Sequence, residues 1–109
     1  MSGDSASRTF KIVSREKAFY FFTSIGNYTG LSATSLKEFM DRINEVNLKS
    51  LDFHFYRRDF EKWVDQVLQD MELAEELRRM QKCSLAGEAL RSQLNSAVAR
   101  RLKRLSGQA

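Results

Sequence analysis

The chain has no proline, and cysteine, histidine and tryptophan occur once each. Cys83 alone cannot close an internal disulfide, so a reducing cytoplasm is the expected compartment. It has no C-x-x-C partner either, which removes zinc on local spacing. No apolar run approaches the ~20 residues that a membrane span needs. The opening MSGDSASRTFKIV lacks the apolar stretch of a secretory signal. Asn27-Tyr28-Thr29 matches a glycosylation triplet, read as chance without such a signal. Gly26 and Gly30 do not form a phosphate loop, because no Lys-Ser/Thr follows them. Repeats and low-complexity segments are absent too, and no aromatic stands downstream of Trp63.

What is present centres on Ser50 to Leu68, which holds Phe53, Phe55, Tyr56, Phe60 and Trp63. From Phe60 the apolar residues fall at Phe60, Trp63, Val64, Val67 and Leu68, the spacing of a helix that buries one face. Asp59 stands just before that run, where its carboxylate can cap the first turn. With 109 residues and 42% apolar composition, a single domain with a useful core is expected, extended by a terminal helix.

The formal charge is +4, and its placement matters more than its size. Residues 1–85 balance, with 13 Lys/Arg against 13 Asp/Glu. Residues 86–109 carry Arg91, Arg100, Arg101, Lys103 and Arg104 against Glu88, which is the whole excess.

In order, residues 1–8 are small and polar and read as disordered. Thr9 to Val13 could add a short edge strand. Ala18 to Ser24 is rich in β-formers, with Phe19 and Phe21 facing one way and Tyr20 and Phe22 the other. Gly26-Asn27 suggests a two-residue turn, and Tyr28 to Ala33 the return strand. Such a ribbon is marginal alone and must lie against helices. Ser35-Leu36-Lys37-Glu38 has the form of a capping box. Leu36, Phe39, Met40, Ile43 and Val46 then give a helical stripe. Ser50 to Tyr56 reads as a turn or short helix, with a bend at Arg57-Arg58-Asp59. Asp70 is a second candidate cap, with Glu72 in the first turn. Leu73, Leu77 and Met80 form the buried stripe of the helix it starts. Ser84 can cap a last helix whose residues Leu90, Leu94, Ala97, Val98 and Leu105 share one side. Ser-Gly-Gln-Ala at the end of the chain stops that helix, leaving residues 107–109 as a tail.

The ordered set F-x-F, Y-T-G-x-x-A, S-L-x-E-F, S-L-x-x-H, D-F-x-x-W and L-A resembles a small prokaryotic domain family without an assigned function, with archaeal members closest. It is carried here by Phe19, Phe21, Tyr28-Thr29-Gly30, Ala33, Ser35-Leu36, Glu38-Phe39, Ser50-Leu51, His54, Asp59-Phe60, Trp63 and Leu73-Ala74. One departure is Gln69-Asp70, where the pattern suggests Gly-Asp. The resemblance implies a compact α+β domain, found alone or fused to larger proteins. It brings no catalytic residues.

Each candidate site has a plainer alternative. His54 could move protons, since free imidazole titrates near pH ~6.5, with Asp52 or Asp59 orienting it. The plainer reading is a half-buried histidine that bonds a carbonyl or an aspartate and closes the helix corner. That reading is favoured, because no nucleophile or second base stands at a telling spacing. Tyr28 and Tyr56 could supply hydroxyls, although packing is their usual role. Trp63 reads as core. Asp70, Glu72, Glu75 and Glu76 could offer oxygens to a hard cation, yet helical spacing scatters them and a solvated face is favoured. Arg100, Arg101, Lys103 and Arg104 could grip phosphates without sequence choice, or meet an acidic protein surface. Cations are also favoured near a helix C-terminus by the dipole alone, and no aromatic is present for base stacking.

The fold expected is α+β: an N-terminal β-hairpin or short meander on three to four helices. A compact domain over residues 9–83 would be followed by a basic amphipathic helix over 84–106, partly an arm. The leading function is a non-catalytic cytoplasmic binding or regulatory module acting through protein contacts. Its partner, or a second copy, would meet the Leu90, Leu94, Ala97, Val98, Leu105 stripe, unless that helix folds back on the body. The alternative is an RNA- or ribosome-associated accessory protein using the basic helix, and an enzyme using His54 comes third. No cofactor, metal or membrane is expected.

Overall fold

The period-2 pattern at Phe19 to Phe22 is realised in the computed structural model, which describes residues 11–107. Strand β1 (Phe19–Ser24) buries Phe19 and Phe21 and turns Tyr20 outward, with Phe22 half-buried. It pairs antiparallel with β2 (Asn27–Ala33) through Phe19↔Ala33, Tyr20↔Ser32, Phe22↔Tyr28 and Ser24↔Asn27. The turn is therefore Ile25-Gly26, one residue earlier than the sequence suggests. Asn27 belongs to the strand because its amide donates to Ser24 Oγ, and Gly26 supplies the positive φ of +82°.

A bulge interrupts the ladder where Thr29, Gly30 and Leu31 oppose Phe21 alone. Gly30 has φ +89°, which only glycine adopts freely. Thr29 Oγ1 donates to the Phe21 carbonyl at 2.8 Å and accepts from the Leu31 N–H at 3.1 Å. The Tyr28-Thr29-Gly30 run thus leads into a bulge with its own side-chain patch. The expected edge strand over Thr9 to Val13 falls partly outside the described residues, as do the segment 1–8 and most of the tail. Lys11 to Ser14 is not strand, although the Val13 N–H donates to the Thr34 carbonyl at 2.8 Å.

Five α-helices follow. Helix α1 (Leu36–Glu45) buries Leu36, Phe39 and Ile43. Ser35 Oγ accepts from the Glu38 N–H at 3.1 Å, as in a capping box. Glu38 reaches one residue further back than the box requires, to the N–H and hydroxyl of Thr34. Those bonds, the backbone one first, hold its carboxyl below the ordinary range. Helix α2 (Leu48–Tyr56) is capped by Asn47. Arg58, in the left-handed region, turns the chain into α3 (Asp59–Gln66). Asp59 is the first residue of α3 and does not cap it. The α4 helix (Met71–Met80) is capped as expected by Asp70 Oδ1, which accepts from the Leu73 N–H at 3.1 Å. Gln69 before it has φ +58°, a conformation that glycine would adopt without strain.

Helix α5 (Gly87–Leu105) starts later than Ser84. Ser84 ends a short 3-10 turn instead, and Asp52 Oδ1 on α2 accepts the Gly87 N–H at 3.1 Å.

The aromatic rings meet under the hairpin. Phe19 lies 4.8 Å from Phe21, 5.1 Å from Phe60 and 5.7 Å from Trp63 between ring centroids. Trp63 is core, 7% exposed, and its indole N–H donates to the Lys17 carbonyl at 2.7 Å. Helix α5 packs against α1, α2 and α4, so its stripe enters the same core. Leu90, Leu94, Ala97, Val98 and Leu105 are 0–4% exposed. This corrects the expectation of a helix over residues 84–106 that is partly an arm and offers its stripe to a partner. The body lacks a wall without α5, and its own apolar faces are what the stripe covers.

Candidate functional site

His54 lies on the face of α2 that packs against β1. Its Nε2 accepts the Phe22 N–H at 2.8 Å, so that nitrogen carries no proton. The proton sits on Nδ1, which donates to Asp59 Oδ2 at 2.8 Å. Burial holds the imidazole below its ordinary pKa, against the opposing pull of Asp59. With both ring nitrogens engaged, no lone pair is left for proton transfer in this arrangement. A side chain on α2 does for one N–H of β1 what a third strand would. Of the two aspartates that could orient His54, the fold brings up Asp59 and sends Asp52 to the start of α5. Asp59 Oδ2 also accepts from Arg57 Nε at 3.0 Å.

Above the histidine, between the hairpin tip and the end of α2, lies an open cavity of about 340 Å³. Phe22, Ile25, Phe53, His54 and Arg57 line it. The Arg57 guanidinium rests over the Phe53 ring, 4.8 Å from its centroid. Beside the cavity the hairpin exposes Tyr20, Ile25 and Tyr28, with Ile25 75% exposed. Tyr28 meets Tyr20 edge-on at 5.8 Å and tilts over Phe22 at 5.4 Å. Tyr28 and Tyr56 are thus half-exposed rather than packed in the core. Tyr56 instead ties the approach to α5 through the Leu85 carbonyl. Sequence reasoning passed over the hairpin face, although a signal was present: no charged residue stands between Lys17 and Lys37.

The basic cluster is arranged differently from its sequence reading. Arg101 is buried, giving Nε to Asp70 Oδ2 at 2.8 Å and Nη1 to Glu72 Oε1 at 2.9 Å. Arg104 pairs with Glu72 and Arg100 with Glu76. Among the described residues only Lys103 of the four cations makes no ion pair. The acidic cluster and the basic cluster, read separately in the sequence, are two sides of one seam. Glu75 lies outside it, paired with Arg78. No group of three His, Cys, Asp or Glu among the described residues could hold a metal ion. No described helix is long and apolar enough to cross a membrane.

The chain matches no curated protein and no solved structure. A family model does match, over residues 14–108, and it spans the hairpin, all five helices and the His54 corner. The protein therefore belongs to that family, a family of unknown function designated DUF5752.

Proposed function

We propose that this protein is a non-catalytic binding module acting through protein–protein contact, and that its contact face is the exposed side of the hairpin. One observation carries the reading. In a chain with 29% charged residues, a charge-free hairpin holds Tyr20, Ile25 and Tyr28 in solvent, with Tyr20 and Ile25 on the lining of a mostly apolar cavity. Interface centres are depleted in charge and enriched in aromatics, and tyrosine is a frequent anchor. The mode favoured is side-chain docking rather than strand addition, because the Gly30 bulge blunts the edge of β2. His54 fits a positioning role under this face better than a catalytic one. An exposed free thiol at Cys83 suits a reducing, cytoplasmic setting.

The RNA or ribosome reading has less support. A phosphate backbone would have to displace Asp70, Glu72 and Glu76 from three of the four cations. One experiment separates the two. A photoreactive benzophenone amino acid is placed at position 28, or at position 103, and the full chain is irradiated in native lysate. The contact reading expects protein cross-links from position 28 that vanish with Ile25→Asp. Nuclease-sensitive cross-links from position 103 alone would overturn it in favour of RNA.

A further inference from the structure

We infer that the cavity at the hairpin tip takes one apolar side chain of an otherwise acidic partner segment. This rests on the contact face proposed above and names the chemistry which that face would bind.

The cavity sets the first half. At about 340 Å³ it lies at the small end of ligand-sized pockets. Its walls are Phe22, Ile25 and Phe53, and its floor is His54 with both nitrogens already bonded. An apolar group entering there strands no hydrogen-bonding atom of the floor, so its desolvation is favourable.

The rim sets the second half. Arg57 is half-exposed, and its Nε is engaged by Asp59. Among the described residues neither of its Nη atoms has a hydrogen-bond partner. The Phe53 ring beneath the guanidinium fixes its plane, leaving a pre-oriented fork for a carboxylate. Arg58 follows, exposed and without an ion pair among the described residues. The one acid nearby, Asp59, is only 24% exposed, and its Oδ2 already accepts from His54 and Arg57. The hairpin opposite brings no charge. A partner approaching this corner therefore meets the Arg57 fork on the rim of an apolar hole, with exposed Arg58 next to it in the chain, and carboxylates flanking one large apolar side chain complement this arrangement.

The test titrates the full 15N-labelled chain with three capped peptides: Glu-Glu-Phe-Glu-Glu, Lys-Lys-Phe-Lys-Lys and Glu-Glu-Ala-Glu-Glu. The first should shift the amides of Ser24, Gly26, Phe53 and Arg57, and the other two should bind at least about tenfold more weakly. Replacing both arginines (Arg57→Gln, Arg58→Gln) should abolish the preference for the acidic peptide over the basic one while keeping the folded spectrum. Equal binding of the basic peptide, or of the alanine peptide, overturns the inference. So does a concentration-dependent shift of the tip without peptide, which would make a second copy the occupant while the contact face stands. No tip shift with any peptide, alongside cross-links from position 28, removes the acidic-apolar class only. No shift and no cross-link removes the contact face as well.

Discussion

Along the seam between α4 and α5, Arg100, Arg101 and Arg104 close onto Glu76, Asp70 and Glu72, whereas the hairpin carries no charge and turns tyrosine and isoleucine to solvent. The region that looks reactive in the sequence is internally neutralised, and the region that looks inert is uncovered. A charge run shows what a segment can attract. It does not show whether the same chain has already supplied the counter-charge. The exposed side of the hairpin supplies no charge of its own, and the cations beside it, Arg15, Arg42 and Arg57, come from other elements.

The contrast can be broken most severely by removing residues 84–109. Because Leu90, Leu94, Ala97, Val98 and Leu105 are core, their loss is comparable with the roughly 5–15 kcal/mol that keeps a domain folded. The truncated chain should show no cooperative thermal transition by circular dichroism. A cooperative melt would return α5 to the status of an arm.

Within the seam, Arg101→Ala should cost about 3–5 kcal/mol, since it strands Asp70 without its buried partner. Arg100→Ala, at an exposed pair, should cost under about 1 kcal/mol. Urea titrations of both variants sharpen the division between the buried and the solvent side of one charge cluster.

Beneath the hairpin, His54→Gln should cost about 1–3 kcal/mol by disturbing the acceptor for the Phe22 N–H and the donor to Asp59. The pH dependence follows from the lowered pKa of His54. Below about pH 6.5 the unfolded chain takes up a proton that the folded chain resists. The stability owed to neutral His54 is therefore complete above that pH and is lost as acid carries the medium down through the folded value. Urea midpoints at pH 7.5 and pH 5 should differ for the parent, and by less for His54→Gln. The smallest effect is a gain: Gln69→Gly should stabilise by about 0.5–1 kcal/mol by relieving a left-handed φ, read as a raised melting temperature.

Much of the architecture was legible because local signals agreed with the global fold. Alternation at Phe19–Phe22, the Ser35 and Asp70 caps, the Phe60–Trp63–Val64 stripe and the Leu90–Leu105 stripe all sit as the spacing suggests. Partnership between distant segments was not legible. Nothing in one dimension pairs Asp70 with Arg101, sends Asp52 to Gly87, or sets Asp59 under His54 rather than at the cap of its helix. The destination of the α5 stripe was hidden for the same reason, since an apolar face states that it must be covered and not by what. Of the candidate site, His54 and Asp59 were found from the aromatic segment, while Tyr20, Ile25 and Arg57 were not. Their importance lies in being left over after packing, which only coordinates reveal.

The arginine locked against Asp70 has a consequence for biosynthesis. Its helix supplies the last wall of the interior, so a nascent chain that has emerged only as far as α4 leaves greasy faces of α1, α2 and α4 bare. Native closure therefore requires that all of α5, Arg101 and Leu105 included, has emerged.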